Sequence, residues 1–547
     1  MPSLLRSLAS FSGPTFLSRI LGLVREMVLA WTFGASTATD AFAVAFRIPN
    51  FFRRLFAEGS FSLAFVPVFT EYKLTREQAE LRELIARTAG TLGAVLLVVT
   101  ALGMLFAPQI GQLFSPSSAA DPVKAGLIAD LLRLTFPFLL FVSLTALAGG
   151  ALNTFGRFAL PAATPLILNL CMIAGAWLLA PRLEVPILAL GYAVLLAGVL
   201  QLLLQFPALR QLDLLVWPRW GGAHAGVRRV MWLMLPTLFG SSVAQVNLLL
   251  DTVIAAYLVE GSQTWLSYTD RLVEFPLGLF GVALGTVILP ALSRHHVSTD
   301  VQGYMRALDW GLRLALLIAL PAMLGLALLA TPILATLFQY GAFGAFDTRM
   351  VAMALMTVSA GLPAFILIKV VAPAFYARQD TATPVKIGII AMVSNMAFNF
   401  GFLALLLWWR ADEFEPGLGV FQRLAALPGL HLALSLASVC SGWLNLVLLW
   451  RVLRARGLYQ PLPGWGRHLL RLSLACLAMA AALLAGRELW PDFGDYGALG
   501  RVWRLSALVG GGAVVFALAM LALGFRPRDM AESGDSGLGI RDSSKAD

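Results

Sequence analysis

The chain is 547 residues long, 59% hydrophobic and only 13% charged, against roughly 45 to 50% apolar and about 25% charged in soluble globular proteins. That balance excludes a soluble enzyme and, at about 20 apolar residues per membrane-spanning helix, supports well over ten spans. The net charge of +10 would point to nucleic acid in a soluble protein, but here topology and lipid contact account for the basic residues and no nucleic-acid partner is expected.

The N-terminus carries Arg6, then an apolar stretch broken by Pro14 and Arg19 with no small-residue cleavage site, and reads as an uncleaved first span. Two apolar regions, 10 to 33 and 41 to 66, are interrupted by charges. Eleven stretches of at least 18 residues contain no Asp, Glu, Lys or Arg: 88–120, 134–156, 158–181, 185–209, 230–250, 275–293, 314–346, 350–368, 387–409, 424–450 and 505–525. Each is long enough to cross. A shorter one, 472–486, reaches about 22 residues if Arg471 snorkels to the interface. The expectation is an all-α polytopic membrane protein with fourteen transmembrane helices, ending in a disordered tail, 526–547, rich in Ser, Gly and Asp.

With fourteen spans laid down alternately, roughly 23 of the 40 basic residues fall on the side of the N-terminus and about 8 on the other, which places both termini in the cytoplasm. The outer connections are too short for a catalytic domain. Cys171, Cys440 and Cys476 stand alone in apolar runs, and no histidine falls in a zinc-type motif. No metal and no resident cofactor are expected, and without a phosphate-binding glycine loop bound nucleotide is not the energy source.

The chain resembles itself. Pro14-Thr15 recurs as Pro236-Thr237, Gly34 and Pro49 as Gly261 and Pro276, Pro67 as Pro290, Pro108 with Leu113-Phe114 as Pro332 with Leu337-Phe338, and Ala151 with Pro161 as Ala374 with Pro384. Six spans per repeat is an even number, so both copies enter the membrane in the same direction, related by a pseudo-two-fold axis along its normal, and two like-oriented lobes imply a central cavity. The expected divisions are 1–217 (spans 1 to 6), 218–457 (spans 7 to 12) and 458–525, a pair of spans outside the repeat.

Ionisable residues inside spans are costly and are functional candidates by default. They concentrate in spans 1, 2 and 8: Arg19, Arg25, Asp40, Arg47, Arg53, Arg54, Glu58, Asp270, Arg271 and Glu274. Arg54 and Glu58 are spaced i,i+4 and Arg271 and Glu274 i,i+3, so each pair can neutralise itself on one helix face. Arg25 and Arg53 are the least accounted for by such spacing. The repeat does not reproduce these arginines: Arg25 maps to Asn247, and Arg271 maps back to Val44. Guanidinium groups in excess of nearby carboxylates suit an anion with several acceptor oxygens, a phosphate or diphosphate, and a cavity flanked by lipid lets that group belong to a lipid whose tail stays in the bilayer.

The segments RIPNFFRRLFAEGSFSLAFVPVFTEY (47–72), YTDRLVEFPLGLFGVALGT (268–286) and APAFYARQDTATPVKI (372–387) closely resemble the MurJ (MviN) family of bacterial lipid II flippases, within the multidrug/oligosaccharidyl-lipid/polysaccharide exporter superfamily. The resemblance runs over essentially the whole chain. It implies a fourteen-helix transporter, not an enzyme, in the bacterial inner membrane. Its substrate would be lipid II, an undecaprenyl-diphosphate-linked disaccharide-pentapeptide, carried from the inner to the outer leaflet, with membrane lipids and cell-wall synthesis proteins as partners. It implies functional roles for Arg19, Arg25, Asp40, Arg53, Glu58 and Arg271, with Arg25, Arg53 and Arg271 facing the diphosphate and Asp270 and Glu274 in support. Spans 13 and 14 correspond to a groove for the polyprenyl tail. Some members carry a sodium site, whose remnant here would be Asp251, Asn395 and Asn399; the lack of a carboxylate in span 11 leaves Na+, H+ or the membrane potential open as the driving force. Two rivals are a multidrug antiporter of the same superfamily and a membrane glycosyltransferase or polymerase using the same lipid. The first would want buried carboxylates, and the second a larger outer domain.

Overall fold

A computed structural model describes residues 2–54, 61–115, 122–413 and 418–526. Glu58 and the tail from 527 onward lie outside the described residues, whose regular elements are helices with no β-strand among them. In chain order the helices are α1 (Pro2–Phe33), α2 (Thr37–Arg53), α3 (Phe61–Thr75), α4 (Gln78–Leu105), α5 (Ala107–Leu113), α6 (Pro122–Thr154), α7 (Ala159–Ala174), α8 (Leu188–Gln211), α9 (Ala225–Ala256) and α10 (Ser262–Pro276). They continue as α11 (Val282–Val297), α12 (Val301–Leu328), α13 (Ala330–Leu337), α14 (Ala345–Ser359), α15 (Leu362–Tyr376), α16 (Ala382–Trp409), α17 (Val420–Ala426), α18 (His431–Ala455), α19 (Trp465–Leu489) and α20 (Ala498–Ala522).

Among the described residues nine helices are long and apolar enough to cross a membrane, or ten if α14 and α15, bent by 41°, form one broken span. Four of the charge-bearing helices are short: α2 has 17 residues, α3 and α10 have 15 each and α11 has 16. Lipid solvates no backbone polar group, so helices are the form in which apolar stretches of this length can cross.

The chain divides into two compact units. The first comprises 1–264, 340–343 and 416–427; the second comprises 265–339, 344–415 and 428–547. In the first unit, Leu29 of α1 and Phe42, Val44 and Ile48 of α2 pack on Leu131 and Phe136 of α6 and Val194 of α8. A second cluster joins Phe65 and Phe69 of α3 to Leu84 of α4, Leu152 of α6 and Val230 of α9. The turn from α1 to α2 needs Gly34, whose φ of +64° is left-handed. Ser36 then caps α2: its hydroxyl accepts the Thr39 N–H at 3.4 Å while the Thr39 hydroxyl accepts the Ser36 N–H at 2.7 Å.

In the second unit, Leu329 and Ala335 pack with Met479 and Leu483 of α19, Phe493, and Leu508 of α20. Here α12, 28 residues long, breaks into the 8-residue α13, as the 28-residue α4 breaks into the 7-residue α5 in the first unit. Each short helix has a proline in its first turn, Pro332 and Pro108, and a proline has no N–H for the carbonyl four residues back. For Pro332 that carbonyl belongs to Leu328, and Arg487 of α19 supplies the missing donor at 3.0 Å. Arg501 of α20 extends the pattern, donating to the carbonyls of Ala335 (2.7 Å), Gln339 (2.8 Å), Gly494 (2.5 Å) and Tyr496 (2.7 Å). At the other end of α19, Asp309 of α12 accepts from Arg313 (2.7 Å), the Tyr459 hydroxyl (2.6 Å) and the Trp465 indole (2.7 Å).

Candidate functional site

In the first unit α1 carries Arg25 to a buried position, 5% exposed, beside Glu26 at 9%. The two form an ion pair. Arg25 also donates to Asn169 Oδ1 of α7 at 3.0 Å and lies 3.8 Å from the Met172 sulfur. Asn169 is oriented for this, because its amide nitrogen donates to the Ser18 carbonyl at 3.1 Å. The Nε of Arg25 has no acceptor among the described residues. Arg25, which helical spacing left least accounted for, thus has a counter-charge in its immediate neighbour. Successive helical side chains normally diverge and do not meet, yet arginine is long enough to fold back onto its neighbour.

Arg19, on the same helix, is exposed. On α2, Arg47 donates to the Thr252 hydroxyl at 2.7 Å, and half-buried Arg53 donates to Asn50 Oδ1 at 2.6 Å in the last turn, where a cation suits the helix dipole. Asp40 is 1% exposed and holds the first turn of α10. One oxygen accepts the Gly261 N–H at 2.8 Å; the other accepts the Thr264 N–H at 3.0 Å and its hydroxyl at 2.7 Å. These are orphan donors of a helix N-terminus, satisfied by a carboxylate. Asp251 of α9 lies 3.5 Å from the Asn247 amide.

In the second unit Asp270, Arg271 and Glu274 are exposed on α10, and Arg271 pairs with Glu274 at 3.2 Å, as their i,i+3 spacing predicts. Two residues further on, Pro276 leads into a π-helical turn, Leu277–Gly281; such turns recur at functional sites. Lys369 of α15 runs alongside this turn and is exposed. Asn399 of α16 donates to Asn395 at 3.2 Å, both buried. The three residues of the expected ion site thus fall in different units, Asp251 in the first and the two asparagines in the second. No group of three or more His, Cys, Asp or Glu suited to a metal ion occurs among the described residues.

Three residues join the candidates that spacing did not single out. Glu26 was hidden by adjacency to Arg25. Asn169 is a buried amide inside the apolar run 158–181, and Lys369 closes the apolar run 350–368. The readable signal for the last two was a polar side chain within or at the edge of a span.

A succession of apolar helices with arginines, amides and paired carboxylates set into them defines a multi-pass membrane protein, and the fold is that of a transporter. An inward-facing multidrug MATE-family transporter of the MOP superfamily aligns with a TM-score of 0.63 over 83% of this chain and 98% of its own, at 14% identity, a likeness of fold alone. A solved lipid II flippase MurJ in an inward closed conformation aligns with a TM-score of 0.73 at 26% identity over 93% of this chain and 97% of its own. The family model for lipid II flippase MurJ matches residues 29–501. The probable lipid II flippase MurJ of Vibrio cholerae is 43% identical over 542 residues, covering 96% of this chain and 97% of that protein. The chain belongs to the lipid II flippase MurJ family.

Proposed function

We propose that this chain carries lipid II across the bacterial inner membrane, taking the diphosphate-linked headgroup from the inner to the outer leaflet while the polyprenyl tail stays in lipid. The observation that carries this reading is the end-to-end 43% identity with a probable lipid II flippase. Fourteen transmembrane helices make two six-helix lobes, 1–217 and 218–457, with 458–525 as an added pair that holds the tail and 526–547 as a cytoplasmic tail. Both termini face the cytoplasm. The long-then-short succession of α4–α5 and α12–α13 supports the repeat on which this division rests.

Arg25, Arg53 and Arg271 bind the diphosphate, with Arg19, Asp40 and Glu58 in the same machinery and Asp270 and Glu274 in support. Arginine's planar fork matches paired phosphate oxygens, and the N–H of Arg25 Nε has no acceptor among the described residues. Asp40 acts by fixing the start of the helix that bears Arg271. Alternating access moves the headgroup and no covalent bond changes. With the interior negative, moving about two negative charges outward runs down the electrical gradient and is favoured by about 4.6 kcal/mol at 100 mV, so the potential supplies direction, with Na+ or H+ at Asp251, Asn395 and Asn399 as the alternative coupling. Membrane lipids and cell-wall synthesis proteins are the partners. A cation antiporter would need a buried carboxylate to spare, whereas among the described residues the buried carboxylates Glu26, Asp40 and Asp309 are each engaged by donors.

The test is lipid II movement in proteoliposomes by Arg25→Ala, Arg53→Ala and Arg271→Ala, with lysine at each position as the charge-retaining control. The expected result is loss in the alanine variants and partial activity with lysine. Normal movement in all three alanine variants overturns the assignment.

A further inference from the structure

The connection between α8 and α9 is an extended strap, Leu214–Gly221, laid against α4. Its alternation is that of an extended chain. Leu214 is buried and Val216 half-buried in the core of the first unit, while Leu215 and Trp217 point out. Two hydrogen bonds fix it along α4: the Arg219 N–H to the Ala86 carbonyl at 2.8 Å and the Gly221 N–H to the Thr91 hydroxyl at 3.0 Å. Arg87 adds a bond to the Trp220 carbonyl at 3.3 Å. The approach is so close that a Cβ on Gly90 would coincide with the Arg219 backbone, and a Cβ on Gly221 with the Arg87 side chain.

That anchoring sets a depth. Arg87 is the last charge of α4 before the apolar run 88–120, so the strap lies at the boundary between headgroup and hydrocarbon. There Trp217 is 87% exposed and Trp220 66%. On α9 the corresponding boundary follows Arg228 and Arg229, and Trp232, one turn inside it, is 71% exposed. Exposed Arg219 and Arg228 accompany these rings, as do Arg87, paired with Glu83, and Arg229, paired with Glu71. Indole rings suit the interface because one edge is apolar and the other donates a hydrogen bond. Guanidinium groups at that depth attract anionic headgroups.

We propose that the strap and the adjoining ends of α4 and α9 form a binding site for an anionic phospholipid of the leaflet at that end, its phosphate on Arg219 and Arg228 and its glycerol region against Trp217 and Trp220. The site fastens the first unit to its own leaflet and does not depend on the identity of the transported molecule.

The test uses the full chain in phosphatidylcholine bilayers containing, as a minor component, brominated phosphatidylglycerol or brominated phosphatidylcholine, with tryptophan quenching as the readout. The double variant Trp217→Phe/Trp220→Phe isolates the strap's share. That share is expected to be several-fold larger with the anionic lipid, and Arg219→Gln and Arg228→Gln each to cut the preference about fivefold. Gly90→Val, which pushes the strap away, should abolish the preference while helix content is retained. Equal quenching by the two lipids, or a preference unchanged in the double glutamine variant, overturns the proposal. So does absence of quenching by either lipid, which would make the strap a surface for a soluble partner.

Discussion

Arg25 and Asp40 look alike in the sequence, as charges inside spans, and differ in what surrounds them. Arg25 has Glu26 and Asn169, and keeps one donor unspent among the described residues; both Asp40 oxygens are occupied by the first turn of α10. Breaking a buried ion pair leaves an uncompensated charge, which typically costs about 3 to 5 kcal/mol. Glu26→Ala should therefore lower thermal stability by about that much, and the double replacement Arg25→Met/Glu26→Met should recover most of it without recovering transport. Asp40→Ala strands buried donors, about 1 to 3 kcal/mol, and should lower stability and transport together; unchanged thermal unfolding would show that the cap is dispensable. The i,i+3 pair of Arg271 and Glu274 was legible from spacing. The partners of Arg25 were not, since one is its immediate neighbour and the other is 144 residues away.

For the helices, the prolines were the readable part. Pro108 and Pro332 mark repeated positions in the sequence and fall in the first turns of α5 and α13. What takes the carbonyl that Pro332 leaves was not legible, because a backbone acceptor has no letter in the sequence. Arg487→Ala should cost about 1 to 3 kcal/mol by stranding the Leu328 carbonyl. Pro332→Ala restores an N–H there, so the double variant should be less destabilised than the sum, a non-additivity read by a double-mutant cycle. Outside the spans, Asp380 caps α16: hydrogen bonds from the Thr383 hydroxyl and N–H, and then from Arg456, hold its carboxyl down at about 2. A depressed carboxylate stabilises above its unfolded value of about 3.9 and loses that contribution as pH falls through the folded one. Amide exchange at Thr383 should stay protected down to about pH 4 and be lost between about 4 and 2; loss of protection near pH 6 would contradict the cap.

For the whole molecule, composition alone led to a helical membrane protein, and three charged segments led to the family. The number of spans was the harder inference, because α2, α3 and α10 carry charges and are short. Transport into vesicles with the potential clamped at zero should show no net accumulation if the potential drives the cycle; unchanged accumulation would assign the drive to an ion gradient. The arginines of α19 and α20 add a consequence for anyone trimming the C-terminus. Since Arg487 and Arg501 serve as surrogate donors for α12 and α13, a protein ending near residue 460 would expose bare carbonyls to hydrocarbon. Such a truncation would injure the second unit itself, so a null phenotype from it would reveal nothing about tail binding.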